Sequence, residues 1–160
     1  MLHAMHLHDS IPSLEGASGW IGGGPVDPAD LRGQPLLLHL WSSACFACRE
    51  QLPMLRRWSE AYGPRGLRIV GVHARSEPEQ TDEDAIAIAR EAGLDHPIAF
   101  DGPDAPIASR LGARFVPTYF VFDAHGELRH VQAGYQADVG TEAALRRVID
   151  EAEGEGAPSP

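Results

Sequence analysis

Short apolar runs recur along the chain and predict buried strands. The runs at 35–41, 67–74 and 97–100 are almost entirely apolar, which is typical of strands covered on both faces of a sheet. Residues 117–134 consist of two further apolar segments joined by Ala-His-Gly. This pattern predicts a hairpin, with Gly126 at the turn position that requires a positive φ.

Amphipathic segments lie between these runs and predict helices. Apolar residues recur at helical spacing in 45–63, 81–93, 105–112 and 138–153. Strands separated by helices of this length favour parallel pairing, and the final hairpin adds antiparallel pairing. The pattern therefore predicts an α/β fold with a central mixed β-sheet flanked by helices.

The length of 160 residues fits one domain. Residues 1–19 are rich in His, Gly, Pro and Ser, and we expect a flexible N-terminal segment there. The folded domain is predicted to cover 20–153. The remaining 154–160, which contain Gly-Glu-Gly-Ala-Pro-Ser-Pro, are expected to form a flexible tail.

Composition excludes several classes of function. The formal net charge of −10 disfavours a nucleic-acid partner, because binding to phosphates needs a basic surface. All 13 basic residues are Arg, so mechanisms that use a Lys nucleophile or a phosphate-loop Lys are excluded. No apolar run is long enough for a membrane segment, and the N-terminus lacks the pattern of a signal peptide. We therefore expect a cytoplasmic protein; the alternative is an exported protein whose leader has been removed, since its sequence would look the same.

The only cysteines, Cys45 and Cys48, form a C-x-x-C pair at the junction of a predicted strand and a predicted helix. A bridge over two residues adds little stability, so the pair points to chemistry rather than to a structural disulfide. The unpaired N–H groups at the start of a helix stabilise a thiolate, which is the reactive form of cysteine. We expect Cys45 to attack a disulfide and Cys48, one turn later, to resolve the mixed disulfide.

Three alternatives compete with this interpretation. The pair can be half of a zinc site, although the remaining ligands are not evident in the sequence. A thiol-dependent peroxidase is suggested by Ser42, which lies three residues before Cys45 like the threonine of a Thr-x-x-Cys motif. A non-catalytic module of the same fold, which binds partners or a metal, is the third alternative.

The chain resembles the thioredoxin superfamily in the residues around the cysteine pair. These are Trp41 at the end of a strand, the C-x-x-C motif, Pro53 five residues after the second cysteine, and Val-Pro-Thr at 116–118. A C-x-x-C motif alone is weak evidence, whereas its combination with these prolines at this spacing is specific. The resemblance spans about residues 20–150.

Smaller motifs are similar to the TlpA/ResA-like branch and to the thioredoxin-like domains of DipZ-type and NHL-repeat proteins. They are Trp-Ile at 20–21, Leu-Arg-Gly at 31–33, Gly-Val-His at 71–73 and His-Pro-Ile at 96–98. This branch implies an extra helix and strand before the second proline motif. Residues 76–100 fit that insertion.

The resemblance also implies roles for residues outside the cysteine pair. Pro117 is expected to follow a cis peptide bond and to face the sulfur atoms. The backbone of Val116 would then pair with an extended substrate, as an added strand does. Trp41, Phe46 and Pro117 are expected to form a flat apolar surface that docks the substrate.

Two residues depart from the family pattern. Where thioredoxins carry a buried Asp, six residues before the first cysteine, this chain has His39. We hypothesise that His39 accepts the proton of Cys48, directly or through water; the alternative is a packed core histidine. ResA-like proteins have an active-site Glu where this chain has Gln51. His73, near the end of its strand, is a further candidate because sites in α/β folds lie at that edge.

The sequence thus predicts a thioredoxin-like thiol–disulfide oxidoreductase that serves cell redox homeostasis. Its partners would be protein disulfide or dithiol substrates and a redox partner that the sequence does not identify. We expect a monomer without a bound cofactor or metal, since the redox-active disulfide would itself store the electrons.

Overall fold

A six-stranded mixed sheet lies at the centre of the fold in a computed structural model, which describes residues 4–75, 81–134 and 137–156. The strands are β1 (Gly19–Ile21), β2 (Leu36–Trp41), β3 (Arg68–His73), β4 (Ile98–Phe100), β5 (Thr118–Phe122) and β6 (Leu128–Ala133). They lie in the order β1-β4-β3-β2-β5-β6. The β2–β3 and β3–β4 pairs are parallel, and the other three pairs are antiparallel. The predicted mixed sheet is confirmed.

Five α-helices accompany the sheet in the described part of the chain. They are α1 (Pro28–Leu31), α2 (Phe46–Tyr62), α3 (Asp82–Glu91), α4 (Pro106–Leu111) and α5 (Ala137–Gly156). Helix α1 lies in a segment without a helical pattern and was not predicted. Helices α2 to α5 lie where the amphipathic pattern predicts them. No helix in the described residues is long and apolar enough to cross a membrane.

The extra helix and strand implied by the family resemblance are present as α3 and β4. Helix α3 begins with a capping box: the Thr81 hydroxyl accepts from the Asp84 N–H at 3.2 Å, and the Asp84 carboxylate accepts from the Thr81 N–H at 3.4 Å. Strand β4 then extends the parallel part of the sheet beyond β3. Residues 76–80 of the predicted insertion lie outside the described residues.

Strand β2 is the element around which both faces of the sheet are built. All six of its residues are buried, and successive side chains point to opposite faces. Leu36, Leu38 and Leu40 pack into one apolar cluster, whereas Leu37 and Trp41 pack into clusters that include residues of α2. The continuous apolar run in the sequence reflects this two-sided burial.

The segments outside the predicted domain contribute to the described structure. Ile11 and Leu14 are buried in the core, and Ser10 forms an isolated bridge with Glu127. The expected flexibility of residues 1–19 stays a prediction, but apolar positions within it pack on the domain. Helix α5 extends to Gly156, three residues beyond the predicted boundary at 153. The tail residues 157–160 lie outside the described residues.

Candidate active site

Cys45 caps the N-terminus of α2. It has an extended backbone (φ −87°, ψ 114°), and its Sγ accepts a hydrogen bond from the Cys48 N–H at 3.2 Å. The side chain is partly exposed to solvent. A sulfur atom in this position receives an N–H group that the start of the helix leaves free.

Cys48 lies one turn further along α2 and is fully buried. It packs in an apolar cluster that includes Trp41 and Leu52. Burial raises the pKa of the Cys48 thiol strongly, and its hydrogen bond with Cys45 raises it further. Both cysteines are free thiols in this structure. One sulfur is therefore accessible, and the second stays protonated behind it.

The segment that precedes β5 lies directly against the accessible sulfur. The Val116–Pro117 peptide bond is cis, as the family resemblance implies. The Cys45 thiol donates to the Val116 carbonyl, with 3.8 Å between Sγ and the oxygen. The Thr118 hydroxyl donates to the Phe115 carbonyl at 2.7 Å and so ties the two ends of this turn together.

The apolar surface near Cys45 differs in part from the prediction. Phe46 is 62% exposed, which fits a docking residue, and Val116 is half-buried. Pro117 is buried, so the prediction that it forms part of an exposed docking surface is wrong. Trp41 does not belong to this surface, because its side chain is fully buried. The prediction for Trp41 is wrong: the alternation of β2 turns it inward, beneath α2. Phe115, 70% exposed, lies beside Val116 in the chain and was not anticipated.

His39 lies in the middle of β2 and is fully buried. Its ring stacks on that of Tyr119, with 4.8 Å between centroids, and lies parallel to Trp41. Burial lowers the pKa of His39 to about 3, and the neighbouring His96 lowers it further. The ring is therefore neutral. Among the described residues, neither nitrogen of His39 has a hydrogen-bond partner, and the Cys48 thiol makes no direct bond to it.

His73 holds the loop that carries Cys45. It is the last residue of β3, and its Nε2 accepts from the Ser43 N–H at 3.0 Å. The Ser43 hydroxyl lies 3.1 Å from the same nitrogen. Burial lowers the pKa of His73 to about 4; Asp82 opposes this shift and Arg75 adds to it. The structure therefore places this candidate against the active-site loop.

Gln51 connects α2 to the opposite side of the site. The Tyr119 hydroxyl donates to its Oε1, and its Nε2 donates to the Gly134 carbonyl at 3.4 Å. A glutamate at this position lacks an N–H group and cannot make the second bond. Where ResA-like proteins have an acidic side chain, Gln51 therefore joins α2 to Tyr119 and Gly134 through two hydrogen bonds.

Two observations concern the alternative functions: the position of Ser42 concerns the peroxidase, and the arrangement of possible metal ligands concerns the zinc site. The Ser42 hydroxyl accepts from the Ala44 N–H at 3.3 Å within the loop, and Ser42 is fully buried. Within residues 4–75, 81–134 and 137–156, no group of three or more His, Cys, Asp or Glu side chains is arranged to hold a metal ion.

Comparison with known proteins places this geometry in a family. The family model described as AhpC/TSA family matches residues 7–131, about three-quarters of the chain. The chain belongs to this family. One relative of this chain is thiol-disulfide oxidoreductase YkuV of Bacillus subtilis (strain 168). The two are 31% identical over 150 residues, which cover 93% of this chain and 100% of that protein.

Two further comparisons agree on the fold of this AhpC/TSA family member. Protein DipZ of Mycobacterium tuberculosis (strain CDC 1551 / Oshkosh) is 30% identical over 145 residues, which cover 88% of this chain and 21% of that protein. The chain thus spans about a fifth of the length of DipZ. The solution structure of a thioredoxin-like protein in the oxidized form superposes with a TM-score of 0.82 at 34% identity, covering 92% of this chain and 99% of that one. The thioredoxin-like fold is confirmed.

Proposed function

We propose that this protein is a thiol–disulfide oxidoreductase in which Cys45 attacks and Cys48 resolves. The observation that carries this proposal is the pairing of a partly exposed Cys45 Sγ, which accepts the Cys48 N–H, with a buried Cys48 thiol one turn behind it. The resemblance over the full length of a protein named thiol-disulfide oxidoreductase supports it.

The first step takes place at Cys45. Its thiolate attacks one sulfur of a substrate disulfide, so that a Cys45–substrate S–S bond forms and the substrate S–S bond breaks. The other substrate sulfur leaves as a thiolate and takes up a proton. The start of α2 supports this step because the Cys48 N–H already donates to the reacting sulfur.

The second step takes place at Cys48. Its thiol loses a proton, and the thiolate attacks Cys45 Sγ, which forms the Cys45–Cys48 disulfide and releases the second substrate thiol. Two electrons have then passed from the protein to the substrate. The raised pKa of Cys48 opposes this step, so a nearby proton acceptor is needed.

His39 is our candidate for that acceptor. Its ring is neutral and buried, and no residue in the described part of the chain forms a hydrogen bond with it. The ring packs against Trp41, which shares a cluster with Cys48. A neutral imidazole has one nitrogen that can accept a proton, and because burial lowers the pKa of His39 to about 3, the ring would pass that proton on rather than hold it. Because the structure shows no direct bond between His39 and Cys48, the proton would pass through a bound water molecule.

Substrate binding would use the turn before β5 together with the two exposed aromatic rings. The Val116 carbonyl lies against Cys45 Sγ, so an extended peptide that pairs with Val116 would bring its disulfide to that sulfur. Phe46 and Phe115 provide exposed apolar contacts for the flanking side chains of the substrate. A cytoplasmic location and action as a monomer stay predictions.

Trapping of the reaction intermediate tests the proposal. The Cys48→Ser variant should accumulate a mixed disulfide with a disulfide-containing peptide, detected by mass spectrometry as one adduct on Cys45. The matched Cys45→Ser variant should form none. Equal trapping by both variants would contradict the assigned roles. Consumption of hydrogen peroxide with a small thiol donor, without reduction of protein disulfides, would instead favour the peroxidase alternative.

A further inference from the structure

The loop between β2 and α2 is held by the end of the neighbouring strand β3. The Ala74 N–H donates to the Trp41 carbonyl at 2.8 Å, just before the loop begins. The His73 ring then receives the Ser43 N–H at 3.0 Å, two residues before Cys45. The Cys45 N–H in turn donates to the Ser42 carbonyl at 3.1 Å. These bonds fix the backbone up to the attacking sulfur.

The bond from Ser43 dictates the protonation state of His73. An amide N–H can only donate, so Nε2 must be the accepting nitrogen and the ring proton must lie on Nδ1. In the doubly protonated ring, an Nε2–H group would face the Ser43 N–H, and this hydrogen bond would be lost. The bond therefore exists only with the neutral ring.

The packing around His73 leaves its ring little freedom. The ring is 1% exposed and meets Trp41 edge-on at 5.0 Å between centroids, with Phe100 at 5.9 Å on another side. The charged groups that affect it are Asp82 of α3 and Arg75 beyond β3, and these act in opposite directions. The imidazole of His73 is thus a hydrogen-bond acceptor held in place by the aromatic rings of Trp41 and Phe100.

We propose that His73 is a positioning residue for Cys45, which acts by holding the Ser43 N–H and thereby the loop that presents the sulfur at the start of α2. This inference rests on the proposed function of Cys45 as the attacking thiol. His73 touches neither the substrate nor the reacting atoms in this account. It keeps Cys45 Sγ within hydrogen-bond distance of the Cys48 N–H and the Val116 carbonyl.

Three substitutions distinguish the effect of the accepting nitrogen of His73 from the effect of the packing of its ring. His73→Gln can place Oε1 near the position of Nε2 and keep an acceptor, whereas His73→Leu keeps an apolar side chain and removes the acceptor. Ser43→Ala removes the hydroxyl and leaves the N–H, and it serves as the matched control. The readouts are the alkylation rate of Cys45 by iodoacetamide at pH 7, mapped by mass spectrometry, and the reduction potential of the cysteine pair.

We expect His73→Leu to slow alkylation of Cys45 by roughly fivefold and to shift the potential, because a displaced sulfur loses its fixed N–H donor. His73→Gln and Ser43→Ala should stay within about twofold of the wild type, since both keep the bond to the Ser43 N–H. A folded His73→Leu protein with the wild-type rate and potential would overturn the proposal. So would a His73→Gln protein as impaired as His73→Leu, because packing would then be the cause.

A measurement on the wild type keeps the proposal testable if His73→Leu fails to fold. Long-range ¹H–¹⁵N spectra of the imidazoles should show His73 neutral at pH 7, with the proton on Nδ1. A proton on Nε2 would overturn the proposal. Failure of the proposed function would look different: protein disulfides would not be reduced, whereas the alkylation rates of the His73 variants would still differ as expected.

Discussion

Cys45 and Cys48 stand one helical turn apart, yet their surroundings differ in kind. Cys45 is partly exposed, accepts a backbone N–H and faces a carbonyl of the neighbouring turn. Cys48 is fully buried among apolar side chains that raise its pKa. Two identical side chains thus acquire different chemistry from their depth and their hydrogen bonds. Burial also lowers the pKa values of His39, His73 and His96, so the interior of the domain holds these rings in the neutral form, as it holds Cys48.

The largest effect should come from exchanging each cysteine for serine. Cys45→Ser should lower the rate of insulin disulfide reduction to that of the uncatalysed reaction, because the buried sulfur cannot reach the substrate. Cys48→Ser should abolish turnover but keep a single stoichiometric attack. Absorbance or mass analysis of one reaction cycle distinguishes the two. A Cys45→Ser protein that still attacks substrate in one cycle would show that the Cys48 sulfur is accessible and would contradict the assigned roles.

Acidification should destabilise the buried side of the site. Burial lowers the pKa values of His39, His73 and His96 to about 3, 4 and 4, against an ordinary value of 6.5. Between pH 6.5 and about 4, the unfolded chain therefore binds protons that the folded one does not, so stability rises with pH. We expect a loss on the order of 5 kcal/mol in the free energy of unfolding from pH 6.5 to 4.5.

Urea denaturation across this pH range measures that loss. His39→Leu should reduce the slope of stability against pH by about one proton, since one buried histidine no longer titrates on unfolding. Replacing the exposed Val139 by Ser is the control and should leave the slope unchanged, because it neither adds nor removes a titratable group. Stability that stays constant from pH 6.5 to 4.5 would show that these rings are not held neutral in the folded protein.

His39 should matter for one sulfur and not for the other. If His39 accepts the proton of Cys48, His39→Asn should slow the resolving step by about tenfold at pH 7. The first attack by Cys45 should keep its rate and serves as an internal control. Rapid-quench measurement of the mixed disulfide follows both steps. An unchanged resolving rate would make His39 a packing residue only.

The exposed aromatic rings should give the smallest effect. Phe46→Ser and Phe115→Ser should each raise KM for a protein disulfide by about threefold, because they remove apolar contacts at the rim of the site. Reduction of a small disulfide should be unaffected. Val139→Ser, which changes an exposed apolar residue on α5, is the matched control. Equal effects on protein and small-molecule substrates would exclude a docking role.

The sequence was most informative where one local pattern determines the structure. The apolar run of β2 and the turn at Gly126 each depend on neighbouring residues, and both are found as predicted. The C-x-x-C pair lies at the start of α2 for the same reason. Helix α1 was missed because its four residues are too few to show a period.

The predictions that failed or were missing depend on contacts between distant segments. Trp41 was predicted to lie on the surface because it is close to the cysteine pair in the sequence. The sequence does not show which face of β2 its side chain occupies. Phe115 gave no signal, since its exposure follows from the turn that precedes β5. The hydrogen bond between Ser43 and His73 joins residues 30 positions apart, and it depends on the parallel pairing of β2 with β3.

The burial of Cys48 has a kinetic consequence. Because only one sulfur of the pair reaches solvent, the molecule that delivers electrons and the molecule that removes them must use the same small opening in turn. The two cannot be bound productively at once, so turnover should follow a ping-pong scheme, with each partner at high concentration inhibiting the other.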